Sequence, residues 1–303
     1  TECRAMDNVL TLIANPRSRN LHADHVAQAA SALETAGAAV GDADWLADAI
    51  ACDLPFSNLD PNTAATLVAN ALAPAEIDAV AQKASERRKR LLVADMESTI
   101  IENEMLDELA DEIGARDKIA AITARAMNGE LDFEAALRER VALLSGLDAL
   151  ALDRAMVKIR IMSGARALVQ TMRNNGAYCA LVSGGFTYYT GHVRDRIGFD
   201  MDQANILEVE NGNITGIVTA PILGRDAKRH ALMRLCRERG VEPDDAIAVG
   251  DGANDLAMLT TAGAGVAFHA KPFVAEQASI IINHGDLTAL LYMQGYRQSE
   301  IRT

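Results

Sequence analysis

Asp95 and Glu97 stand two residues apart at the end of the apolar run Leu91-Leu92-Val93-Ala94, just after the basic cluster Arg87-Arg88-Lys89-Arg90. A short apolar run of this kind reads as a buried parallel strand. In open α/β sheets, ligands bind beyond the carboxyl ends of strands. Residues i and i+2 of an extended chain point the same way, so both carboxylates can face one small site. Two more apolar runs end in polar clusters. Tyr178 to Val182 leads into Ser183-Gly184-Gly185-Phe186, and Ala246 to Val249 into Gly250-Asp251-Gly252-Ala253-Asn254-Asp255. Parallel strands bring all three clusters to one sheet edge. Acidic groups converging there from two strands suit a hard divalent cation with oxygen ligands, most simply Mg2+. A Ser-Gly-Gly turn before a helix offers a hydroxyl and close backbone N–H groups to a phosphate. Lys228, on the helix ahead of the third strand, supplies a positive charge. Singly, these are ordinary turn and helix residues; their order and their shared position carry the reading.

The elements that position them follow from pattern. Val9 to Ala14 reads as a strand, His22 to Leu33 as a helix stopped by Gly37, and Ile50 to Leu54 as a short strand. Ala75 to Arg88 reads as a helix whose solvated end is the basic cluster, where cations suit the helix dipole. His22 and His25 read as solvated helix residues with no third ligand. After the first strand of the site come helices at Asn103 to Ile113, Arg116 to Met127 (closed by Asn128-Gly129), Asp132 to Leu144 with Asp132 as N-cap, and Asp148 to Ile159. The wholly helical block from 116 to about 160, inside a strand-helix alternation, is a natural lid over the sheet edge. Ala165 to Asn174 resumes the alternation. Glu210-Asn211-Gly212-Asn213 between apolar runs signals a hairpin, and Asp226 to Arg239 is a helix. A helix from Leu256, strands at Gly265 to Phe268 and Ser279 to Ile282, and a helix at Leu287 to Gln294 complete the set. Repeated strand-helix units imply a doubly wound parallel sheet, Rossmann-like in class. The expected division is an α+β accessory domain over 1–85, an α/β core over 86–111 and 162–303, and a helical cap over 112–161.

Composition bounds the function. Of 303 residues half are hydrophobic but only 4% aromatic, so the core is aliphatic and Ala-rich, as in helical and α/β proteins. A net charge of −13 argues against nucleic acid, which needs a basic footprint. The four cysteines, Cys3, Cys52, Cys179 and Cys236, lack metal-ligand spacing. Reduced thiols, no membrane-length apolar segment and no signal-peptide pattern lead to a cytoplasmic expectation.

The ordered set resembles the haloacid-dehalogenase superfamily of phosphotransferases, and within it the phosphoserine phosphatases. The family's Asp-x-Asp-x-Thr looks like Asp95-Met96-Glu97-Ser98-Thr99; its later motifs match Ser183-Gly184-Gly185, Lys228, and Gly250 to Asp255. Glu104, Met127, Phe133 and Arg140 match its substrate-specific positions, and Ala126 to Phe133 with Leu137 to Val141 is the most specific stretch. The match covers about residues 88 to 295; the first 85 match only loosely the N-terminal extension of longer bacterial members. The resemblance implies hydrolysis of O-phospho-L-serine, the last step of serine biosynthesis. Asp95 would be nucleophile and Glu97 general acid and base. Mg2+ would sit on Asp95, the Glu97 carbonyl and Asp251, and the phosphate on Ser183, Gly184, Lys228 and Asn254. Glu104, Arg140, Met127 and Phe133 would hold the amino acid, with Asp255 in support. One departure stands out: Glu97 occupies a position that is Asp in the family. A related small phosphate ester is the alternative substrate. A low-activity phosphate- or serine-binding sensor is the alternative function. A homodimer through the N-terminal domain is one further expectation.

Overall fold

A computed structural model describes residues 6–127, 131–224 and 226–302, without the side chains of Glu86, Ala126 and Met127. The N-terminal stretch builds β1 (Asn8–Ala14), α1 (Ala23–Thr35), β2 (Ala39–Val40), β3 (Asp44–Ala47), β4 (Ala51–Ser57), α2 (Pro61–Leu72) and β5 (Ile77–Lys83). The sheet runs β2-β4-β1-β5, with β3 on β4, and every ladder is antiparallel. Alternation along β1 assigns its faces. Leu10, Leu12 and Ala14 pack with Val26, Leu33, Val68 and Leu72 of the two helices. Ile13, with Val80, Leu46 and Ile50, joins the core of the larger unit instead.

Two expectations for this stretch are corrected. Residues 75–88 are not a helix. Ile77 to Lys83 is a strand paired along its whole length with β1, followed by a single 3-10 turn at Ala84–Glu86. Its alanines favour a helix locally, but a seven-residue ladder onto a buried strand outweighs that weak preference. The basic cluster is therefore not a solvated helix end. Arg87 donates to both carboxylate oxygens of Asp53 (2.6 and 3.0 Å), to Thr11, and to the Tyr292 and Met293 carbonyls. Lys89 is buried, with Nζ on the Asp244 carbonyl. Arg88 lies over the Tyr296 ring and pairs with Glu300. The cluster fastens the first sheet to the rest of the chain. Helix α2, not anticipated from sequence, carries a clear start signal: Asp60 accepts the Thr63 N–H, and Pro61 fills the first turn.

The remaining elements are β6 (Leu91–Ala94), α3 (Met105–Asp111), α4 (Arg116–Met127), α5 (Phe133–Ala142), α6 (Leu150–Met156), α7 (Ala165–Asn174), β7 (Tyr178–Phe186), α8 (Thr187–Ile197), β8 (Met201–Glu210), β9 (Asn213–Thr219), α9 (Ala227–Arg239), β10 (Ala246–Gly250), α10 (Leu256–Leu259), β11 (Ala264–Phe268), α11 (Pro272–Ala275), β12 (Ile280–Ile282) and α12 (Ala289–Tyr292). The second sheet has the order β12-β11-β10-β6-β7-β8-β9. It is parallel from β12 to β8 and antiparallel at β9. Along β6, Leu91 and Val93 pack toward α9, while Leu92 and Ala94 pack on the opposite face. Both faces are covered, which is why these strands read as unbroken apolar runs. The architecture is a Rossmann-like, doubly wound α/β sheet with the helices α3–α6 inserted after β6.

The insertion is anchored at its base and braced at its far side. Ile101 bridges to Ile161, and Met162 N–H donates to the Ile100 carbonyl. On the far side Ile214 of β9 exchanges backbone hydrogen bonds with Gly146 and Leu147. The Asn211-Gly212 hairpin is present, with both residues at positive φ (49° and 80°), as the right-handed twist of the flanking strands requires. Among the described residues, no helix is long and apolar enough to cross a membrane.

Candidate active site

The site lies at the carboxyl ends of β6, β7 and β10. Asp95 follows β6 directly and keeps its strand pairing, donating its N–H to the Val249 carbonyl. Its Oδ1 accepts the Met96 N–H (2.8 Å) and lies 2.6 Å from Lys228 Nζ. Lys228 reaches from α9 and also donates to Asp255 Oδ1 at 2.5 Å, while Asp255 Oδ2 accepts the Gly252 N–H. All three side chains are buried. Gly250 permits this: a Cβ there would fall 2.3 Å from the Asp255 carboxyl carbon. Asp95, Asp251 and Asp255 each bring a carboxylate oxygen within 4.8 Å of one another. Lys228 Nζ contacts two of these three acids, so the cluster holds more acids than paired cations.

The electrostatics record that imbalance. Burial, and then Asp255, push the Asp95 carboxyl well above its usual range, against the pull of Lys228. Burial and Asp255 push Asp251 up to about 6. Burial opposes the charge on Lys228, but Asp255 and Asp95 outweigh it and hold the ammonium above its ordinary value. Hard oxygen donors carrying surplus negative charge suit a divalent cation such as Mg2+.

Glu97 accommodates its extra methylene by reaching sideways. Its Oε1 accepts the Met105 N–H at 2.8 Å, at the start of α3. Its Oε2 lies where only glycine fits, 2.9 Å from the position of a Cβ on Gly185. Burial, and then Glu104, push this carboxyl up to about 8. Glu104 sits at the N-cap of α3, and its Oε1 accepts the Ser98 hydroxyl at 2.6 Å.

Ser183-Gly184-Gly185 is not a turn ahead of a helix, as expected, but the extended end of β7, with α8 starting at Thr187. A hydrogen bond from the Gly185 N–H holds Ser183 Oγ at 2.9 Å. Phe133, from the first turn of α5, closes over this strand end; a Cβ on Gly184 would meet its ring at 3.1 Å. Phe133, Ser183, Gly184, Lys228 and Asn254 together line a cavity of about 10 Å³. That is barely room for one water, with Phe133 of the helical insertion forming part of its wall. Arg140, in the last turn of the same helix α5, is half-buried and has no ion pair among the described residues. Its guanidinium donates only to the Ala136 carbonyl (3.2 Å) and Thr123 Oγ1 (3.5 Å). Burial draws it below its usual value, while Glu97 and Glu104 pull the other way. The Met127 side chain and residues 128–130 lie outside the described residues.

Some contributors escaped the sequence reading. Asn205 of β8 is buried; it donates to the Gly184 carbonyl (2.8 Å) and accepts the Leu223 N–H (2.7 Å), fixing both walls of the cavity. An amide inside the run Ala204-Asn205-Ile206 was the available signal. Lys271 donates its N–H to the Asp251 carbonyl, and its charge lowers Asp251.

Residues 92–260 match the haloacid dehalogenase-like hydrolase model. The chain is 43% identical over 226 residues to a phosphoserine phosphatase of Streptomyces coelicolor, covering 75% of this chain and 55% of that protein. It is 45% identical over 208 residues to one of Polaromonas sp., covering 67% and 88%. A solved structure described as a phospho-aspartyl intermediate analogue of phosphoserine phosphatase superposes with a TM-score of 0.64 at 38% identity, covering 68% and 98%. The chain thus spans only about half the length of its Streptomyces relative. On the family match and these identities, the chain belongs to the haloacid dehalogenase-like hydrolases.

Proposed function

We propose that the chain is a Mg2+-dependent phosphatase of O-phospho-L-serine. The observation that carries this is the buried Asp95–Lys228–Asp255 group beside Asp251, next to a helical insertion whose Arg140 has no ion pair among the described residues. The similarity to named phosphoserine phosphatases supports the substrate. Asp95 Oδ1 accepts the Met96 N–H and meets Lys228, which leaves Oδ2 free of protein contacts among the described residues; one carboxylate oxygen of Asp95 attacks. It bonds to phosphorus as the bond to the serine oxygen breaks, giving an aspartyl-phosphate. Glu97, protonated at neutral pH by its raised pKa, gives its proton to the leaving oxygen. It then takes one from the water that cleaves the acyl phosphate. Ser183 Oγ, the Gly184 N–H, Lys228 and Asn254 hold the phosphoryl oxygens. Mg2+, on Asp95, the Glu97 carbonyl and Asp251, would offset the repulsion between carboxylate and phosphate. Arg140 takes the substrate carboxylate in a bidentate fork, Glu104 its ammonium, and Phe133 and Met127 wall the pocket.

In this reading residues 1–85 are the accessory domain, 86–111 with 162–303 the core, and 112–161 the cap. The buried thiols Cys52, Cys179 and Cys236 suit a reducing cytoplasm. Because one face of the N-terminal sheet is spent on the core, a homodimer through this domain would use its helices or its β2–β3 side.

The test is phosphate release from L-phosphoserine with and without Mg2+, for the native chain and Glu97→Asp. Turnover that requires Mg2+ supports the proposal. Its absence in the native chain, with activity appearing in Glu97→Asp, would favour a phosphate- or serine-binding sensor. A panel of phosphate monoesters separates phosphoserine from other small esters.

A further inference from the structure

Asp78 lies on β5, in the N-terminal sheet, and is buried. Its backbone belongs to the ladder with β1, but among the described residues its side-chain hydrogen bonds all leave the sheet. Its carboxylate instead gathers three consecutive backbone N–H groups of the loop after β12. Oδ1 accepts Asn283 (2.8 Å), both oxygens accept His284 (3.2 and 3.1 Å), and Oδ2 accepts Gly285 (2.7 Å). Successive N–H groups turned onto one anion form a nest. Asn15, just past the end of β1, donates a bond to the His284 carbonyl (2.9 Å). The approach at Gly285 is close: a Cβ would lie 3.0 Å from Ala289 and 3.2 Å from Asp78 Oδ2.

The loop so held passes the constraint on. The Gly285 carbonyl is 2.8 Å from His269 Nε2. His269 follows β11, has a positive φ of 45°, stacks on Phe268, and donates its N–H to the Ile282 carbonyl. A non-glycine residue in that region is held there by its surroundings. Two residues on, the Lys271 N–H bonds the Asp251 carbonyl at 3.3 Å. The hydrogen bonds therefore lead from the N-terminal sheet to the acidic cluster.

We propose that Asp78 is a positioning residue for the catalytic edge. It fixes the 283–285 loop and, through His269, the segment that sets Asp251. The N-terminal domain then contributes directly to cation affinity. This rests on the reading of Asp95 and Asp251 as the Mg2+ site.

The experiment is calorimetric titration of Mg2+ into the metal-free full chain, for the native protein, Asp78→Asn, His269→Ala, their double variant and Arg87→Met. Partners of metal ligands typically contribute about 10- to 100-fold in affinity; His269 and Asp78 lie successively further out, and a smaller loss of about 3- to 10-fold is expected for each single variant. If Asp78 acts through His269, the double variant is no weaker than the weaker single. Arg87→Met cuts a separate tie between the same two units, and should lower the melting temperature with Mg2+ affinity unchanged. If Asp78→Asn does not fold, His269→Ala alone must still weaken binding. Native-like affinity in the folded single variants overturns the proposal, as do multiplying effects, or an equal loss in Arg87→Met. Failure of the native chain to bind Mg2+ would instead overturn the reading of the site.

Discussion

Lys228→Met removes the ammonium from between two acids at nearly constant side-chain length. Nζ is 2.6 Å from Asp95 and 2.5 Å from Asp255, and all three groups are buried. Deleting one partner of a buried ion pair costs about 3–5 kcal/mol, because the charge left behind has neither water nor a counter-ion. Unfolding entropy runs at about 2.1 cal/mol/K per residue, or about 0.6 kcal/mol/K for a chain of this length. In chelator the melting temperature should then fall by about 5–8 °C if the chain melts as one unit. Excess Mg2+ should raise the melting temperature of the variant by more than that of the native chain, since the cation meets a more negative site. The rate should also drop, by about 10²–10³, for the loss of a preorganised phosphate donor. The assay is differential scanning fluorimetry in chelator and in Mg2+, beside steady-state phosphate release. A variant that melts with the native chain in chelator, or gains no more from Mg2+, would refute the idea that Lys228 offsets the acid cluster.

Four more outcomes are expected. Arg140→Ala should cut kcat/KM for L-phosphoserine by about 10- to 100-fold, the worth of hydrogen bonds to a charged group, while an aryl phosphate is little affected; equal losses would remove the carboxylate clamp. Gly185→Ala puts a methyl 2.9 Å from Glu97 Oε2 and 3.2 Å from Ser183 Oγ, so kcat should fall at least about tenfold with little change in melting temperature, as steady-state rates and a melt will show. Phe133→Ala opens the lid contact over Gly184 and should raise KM for phosphoserine while admitting bulkier phosphate esters, read on a substrate panel. Asp251 is raised to about 6 in the cation-free protein, so protons compete with Mg2+ as pH falls through that value. Calorimetry should show affinity weakening toward about tenfold per pH unit below 6, and a flat profile from pH 7 to 5 would contradict it.

The larger sheet was legible because β6, β7 and β10 are buried on both faces and so read as apolar runs, each with its polar cluster at one end. The hairpin was legible because Asn211-Gly212 satisfies a turn that needs two positive φ angles. Strand β5 was not, because Ile77 to Lys83 is rich in helix-forming residues and owes its conformation to β1, a partner more than sixty residues away in sequence. The same non-local cause hid Arg87: a cation that looks solvated in sequence is paired with Asp53, which only the folded chain brings near. At the site, Asp95, Ser183 and Asp251 follow from where strands end. Arg140, Glu104 and Phe133 stand on helices whose arrangement periodicity does not fix, and only the family resemblance singled them out. Asn205 and Asp78 act through neighbours' backbones, and no spacing announces such a role.

The central claim is that Asp95 becomes covalently phosphorylated. Native chain mixed with L-phosphoserine and Mg2+, quenched in acid within a turnover and digested, should carry phosphate on the peptide that contains Asp95, and Asp95→Asn should carry none. Turnover with no label on that peptide, or an Asp95→Asn variant that hydrolyses phosphoserine at the native rate, would contradict the account.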